Sequence, residues 1–95
     1  MIVADISTIP MGKGTSASHY VQAVHELLRQ SGLKYAAGPM STAIEAQSFD
    51  QIFSAVERAN KMLADMGVQR IITTVRIDYR LDKDISISSK LEKSQ

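Results

Sequence analysis

Arg76 and Asp78 stand two residues apart in RIITTVRIDYR, residues 70–80, with Thr74 two residues earlier. In a strand that spacing puts all three side chains on one face, because successive side chains point to opposite sides. Guanidinium donates, carboxylate accepts, and hydroxyl does either. The amino-terminal stretch MIVADISTIP repeats the arrangement, with Asp5 and Ser7 sharing a face. In STAIEAQ, Ser41, Ala43, Glu45 and Gln47 share one as well. Brought side by side, these groups can ring a pocket for a small polar ligand, a cationic heterocycle among them. The plainer alternative is a solvated network of ion pairs, each worth at most roughly 1 kcal/mol. Val3, Ile9 and Ile72 fall on the same faces as the charges, which favours some form of cover, since apolar groups beside charges waste burial.

Other chemistry is poorly supported. His19 and His25 are six apart and share no face at metal-ligand spacing, so surface or rim positions are expected and no metal. The loop GKGTSAS holds a GxG but neither a Walker pattern nor a dinucleotide fingerprint, which makes phosphate binding a weak reading. Ser7, Ser41 and the threonines lack a recognisable histidine base, so nucleophilic catalysis has little support. No enzyme activity and no cofactor are expected.

With 95 residues the chain is one domain, 1–95, with room for a single core. Hydrophobic content of 44% and charged content of 22% are ordinary for a globular protein. A formal net charge of +1 supplies no field to draw in nucleic acid or anionic lipid. Cysteine is absent, which excludes disulfides and thiolate chemistry and fits a cytoplasmic location. MIVADIS carries an acid and no basic lead, unlike a signal peptide. No apolar run approaches the roughly 20 residues that span a bilayer, so no membrane partner is expected.

The elements that must position the polar groups follow from period and punctuation. Met1–Ile9 reads as a strand with Ile2, Ala4 and Ile6 inward, closed by Pro10. Tyr20, Val21, Val24, Leu27 and Leu28 recur at helical spacing, and Gly32 stands where a left-handed cap ends a helix. Leu33–Ala37 and Met40–Gln47 read as a hairpin about Gly38-Pro39, with Thr42, Ile44 and Ala46 inward. Ser48 and Gln51 form a capping box, Gln51 reaching back to the amide of Ser48. The helix they open carries a stripe of Ile52, Phe53, Val56, Ala59, Leu63 and Met66 and ends at Gly67. In the last strand Ile71, Thr73, Val75, Ile77 and Tyr79 face the core. Asp82 or Asp84 can cap a short third helix in ISISSKLEKS, although the alternation of Ile85 and Ile87 also permits a strand.

Strand, helix, strand, strand, helix, strand with right-handed crossovers leaves one economical solution. It is an α+β, ferredoxin-like βαββαβ sandwich with antiparallel strand order 4-1-3-2, both long helices on one face and a short C-terminal helix. On the open face Arg76 can reach Asp5, with Glu45 just beyond. RNA recognition on such a face needs aromatic rings on the two central strands, and those strands have none. An acylphosphatase-like enzyme needs an arginine after the first strand, where PMGKGTSAS has a lysine.

Three segments, MIVADISTIPMGKG, SGLKYAAGPMSTAIEA and RIITTVRIDYRLDKD, in this order, resemble the small thiamine-binding-protein family, related to bacterial hydroxymethylpyrimidine- and thiamine-binding proteins. The most specific pieces are the P-x-G turn at Pro10–Gly12, the PMxTxIE run at Pro39–Glu45 and the final RIITTVRIDYRLDKD. Ala46 departs from the pattern, which more often has glycine after the glutamate. The resemblance implies the ferredoxin-like fold and a homo-oligomer, commonly a tetramer built as a dimer of dimers. It also implies non-catalytic binding of thiamine or its hydroxymethylpyrimidine moiety. The motif-matching polar positions it implies for ligand binding are Ser7, Thr42, Glu45, Thr74, Arg76 and Asp78. A different class of function remains beside it, a structural or regulatory oligomer whose polar sheet face is only a subunit interface.

Overall fold

Alternation along the strands decides how the sheet faces. In the computed structural model, which describes residues 1–12 and 18–94, the order is β1 (Ile2–Pro10), α1 (Ser18–Ser31), β2 (Lys34–Ala37), β3 (Thr42–Ala46), α2 (Phe49–Asp65), β4 (Ile71–Asp78) and α3 (Ile87–Ser94). The sheet runs β2-β3-β1-β4, antiparallel at every pairing, so the 4-1-3-2 ferredoxin-like arrangement is the observed one.

Ile2, Ala4 and Ile6 of β1 and Ile44 and Ala46 of β3 pack against Leu28 of α1 and Ile52, Ala59 and Leu63 of α2. Ile71, Val75 and Ile77 of β4 pack on the same cluster. Thr73, on that side too, exchanges hydrogen bonds with the Asn60 side chain at 3.0 and 3.1 Å. The helix stripes are narrower than expected. Val21 and Phe53 are exposed, and Ala55 is buried instead. Tyr79 lies beyond the end of β4 and stays half-exposed, its ring edge-on to Phe49 at 5.0 Å. Gly32 and Gly67, at φ +80° and +95°, take the left-handed turns that end α1 and α2.

The capping box at Ser48 is present with one change of partner. The Gln51 amide donates to Ser48 Oγ at 3.2 Å, but Gln51 Oε1 accepts from the amide of Gln47, at 2.7 Å, not that of Ser48.

The carboxy-terminal segment departs further from expectation. It is helical, and neither aspartate caps it. Asp82 pairs with Arg80, whose hydrogen bonds hold its carboxyl down to about 2, and Asp84 takes the amino group of Met1. The cap is Ser86, whose Oγ accepts from the Ser89 amide while Ser89 Oγ accepts from the Ser86 amide, both at 3.0 Å. More important is where α3 lies. The sequence pattern put both long helices on one face, left the second face open and did not place Ile85 and Ile87 on it. Instead the chain doubles back after β4, and Ile85 and Ile87 bury Val3 against Ala36 and Ala43. Covering these three residues within the chain removes apolar surface from water without the entropy of association. Among the described residues no helix is long and apolar enough to cross a membrane.

Candidate functional site

Register sets the chemistry of the open face. Asp5 is flanked by Ala43 of β3 and Arg76 of β4, Val3 by Glu45 and Asp78, and Ser7 faces Thr74. The face is therefore built in rows, and Glu45 belongs to the row of Val3, not that of Arg76.

In the central row Arg76 forks onto Asp5, Nε to Oδ1 at 3.0 Å and Nη2 to Oδ2 at 2.5 Å. Ser41 Oγ adds a bond to Asp5 Oδ2 at 3.2 Å. The Arg76 hydrogen bonds hold the Asp5 carboxyl below its usual range, against the modest opposing effect of burial, and Ser41 lowers it further. In the next row Lys90 of α3 reaches Asp78 Oδ2 at 2.5 Å. Between the two ion pairs lies a cleft of about 390 Å³, lined by Val3, Asp5, Ala43, Arg76, Asp78 and Lys90. Its floor is apolar and its rim carries two carboxylates and two cations. The volume falls at the small end of the roughly 300–1,000 Å³ typical of small-molecule sites.

The six motif-matching residues do not form one cluster. Arg76 and Asp78 line the cleft. Thr74 and Ser7 lie beside it on the same face, one row beyond the Asp5–Arg76 pair. Glu45 is buried at 7% exposure beneath α3, where its Oε1 accepts from the Ile87 amide at 2.6 Å. Thr42 points to the helix side and meets His25 Nε2 at 3.0 Å. Thr42, Ser7, Thr8, His25 and Ser41 line a second, smaller cleft of about 140 Å³, where β1 runs on past the end of β3. The phosphate reading of GKGTSAS falls largely on residues 13–17, outside the described residues.

Lys90 is the lining residue that sequence reasoning missed. The signal available was weak: a basic residue three positions after Ile87, in a segment whose placement was open between helix and strand.

A family model described as thiamine-binding protein matches residues 4–95. The chain belongs to the thiamine-binding protein family. A UPF0045 protein of Methanothermobacter thermautotrophicus is 37% identical over 97% of this chain and 94% of its own length. The UPF0045 protein YqgV of Bacillus subtilis is 35% identical over 97% of this chain and 92% of its own. Among solved structures, Methanocaldococcus jannaschii MJ1052 superposes with a TM-score of 0.89 at 34% identity, covering 98% of this chain and 94% of that one. A Thermotoga maritima protein provisionally assigned to thiamine biosynthesis or salvage shares the fold, with a TM-score of 0.84 at 23% identity over 99% and 98% of the two chains. Membership of the thiamine-binding family gives the chain a coarse role, that of binding a small molecule.

Proposed function

We propose that this family member binds thiamine or its hydroxymethylpyrimidine moiety, without catalysis, in the cleft on the open sheet face, as a cytoplasmic homo-oligomer. The observation that carries the reading is the cleft itself, an apolar floor between two carboxylate-bearing rows on a thiamine-binding-family scaffold. An aminopyrimidine offers ring-nitrogen acceptors and an exocyclic amine donor. Asp78 can accept from the amine, and the hydroxyls of Ser7 and Thr74 can serve either role. A free arginine would repel a thiazolium cation, but Asp5 already neutralises Arg76. Glu45 enters this site only if α3 moves, and Thr42 reaches a ligand only through the smaller cleft.

Calorimetric titration with thiamine and with hydroxymethylpyrimidine tests the proposal. Saturable binding weakened by Asp78→Asn supports it, and no saturable heat with either compound refutes it. One observation favours the second reading, a structural or regulatory oligomer. Ile9 and Ile72 are register partners at the end of the face away from α3, and both remain exposed, at 48% and 41%. A second subunit over that end, within a tetramer built as a dimer of dimers, would bury them. Light scattering that gives an oligomer, together with no ligand binding, would favour this second reading over the first.

A further inference from the structure

Glu45, next to last in β3, is a buried carboxylate, and what lies on it is a main-chain N–H at the start of a short helix. Burying a charge for the sake of one amide is a costly way to anchor a chain end, where an apolar residue would do. Glu45 is flanked across the sheet by Val3 of β1 and Lys34 of β2. Beside it Val3, Ala36 and Ala43 make an apolar floor, with Ile85 and Ile87 laid over it. An apolar slot with one carboxylate acceptor at its edge suits a planar nitrogen heterocycle with an N–H donor edge.

The slot is also continuous with the open cleft. Val3 and Ala43 belong to both, and Lys90, which walls the cleft, stands on α3 itself. We propose that the first turn of α3 occupies part of the ligand site as an internal stand-in. In this arrangement the Ile87 amide takes the place of a ligand N–H on Glu45, and ligand binding displaces α3 to join slot and cleft. This rests on the proposed binding function and adds to it a competition between helix and ligand for one carboxylate.

The helix is suited to release. Its eight residues, Ile87–Ser94, are fewer than the roughly 12–15 that an isolated helix needs, so it persists only while seated. Its remaining hold on the sheet includes the exposed Lys90–Asp78 pair. Linkage then requires that whatever unseats α3 raises ligand affinity, because apparent affinity is reduced by the fraction of molecules with the site free.

Ile87→Pro is the selective test. Ile87 is the first helical residue after the Ser86 cap, where proline is well tolerated, so the variant loses the bond to Glu45 while the helix can still start. Ile87→Ala is the companion, keeping the amide but loosening the apolar hold. Binding of thiamine and of hydroxymethylpyrimidine to the full chain is measured by calorimetry, and hydrogen exchange of amides 88–92 is followed with and without ligand. The expected result is about tenfold tighter binding by Ile87→Pro, a smaller gain by Ile87→Ala, and faster exchange in α3 of the parent when ligand is added. If the parent binds but the variants bind no better and α3 exchange is unchanged, the competition is refuted while the binding function stands. Binding by the variants alone would support the competition most directly. Binding by none of the three proteins refutes both.

Discussion

Glu45→Gln isolates the charge that holds α3, because it preserves the shape of the side chain and its ability to accept a hydrogen bond. The bond at stake is 2.6 Å long and buried, from the Ile87 amide to Oε1. A hydrogen bond to a charged acceptor is worth about 1.5–3 kcal/mol and a neutral one about 1 kcal/mol. The substitution therefore weakens the seat of α3 by about 0.5–2 kcal/mol, a factor of roughly two to thirty in its opening equilibrium. Because α3 packs on Val3, Ala36 and Ala43 and not on the main core, the opening should be local. Hydrogen exchange should accelerate by that factor at amides 88–92 and leave Ile44 and Leu63, both fully buried in the main core, unchanged. Unchanged exchange in α3 would show that the carboxylate does not hold it. Equal acceleration at Ile44 and Leu63 would show that α3 is part of the global unfolding unit, and the reasoning behind a displaceable helix would fail.

Two further outcomes follow from the geometry. Ser48→Ala removes the acceptor for the Gln51 amide at the start of α2 and should cost about 1 kcal/mol, lowering the melting temperature by about 4–8 °C in a calorimetric scan; an unchanged midpoint would deny the cap its role. The Asp5 carboxyl, held down by Arg76, should titrate below its reference value of 3.8 in an NMR pH series, and Arg76→Gln should return it towards that value. Since the folded-state value is the depressed one, the stabilisation from this pair is present at neutral pH and is lost only as pH falls through the Asp5 midpoint.

The amino-acid sequence by itself determined the sheet and its two faces. Strand side chains alternate with a period of two, so the inward set of Ile2, Ala4 and Ile6 fixes Val3, Asp5 and Ser7 outward, and Ile44 does the same for Glu45. Ser48 with Gln51, and the glycines at 32 and 67, marked helix ends because capping depends on neighbours a few residues apart. The contact between Asp5 and Arg76 was also legible, as face-sharing residues on strands that the topology makes adjacent. Tertiary structure alone decided the rest of the site. Register placed Glu45 beside Val3 instead of Arg76, and nothing local to β3 specifies that pairing. The seating of α3 on the open face depends on Ile87 meeting Glu45 across 42 residues of chain, and on Ile85 and Ile87 finding Val3. Such contacts come from competition among all the surfaces the chain could cover, not from the spacing of the residues that make them. For that reason the polar face could be read from the sequence, while the helix that covers part of it and takes Glu45 could not.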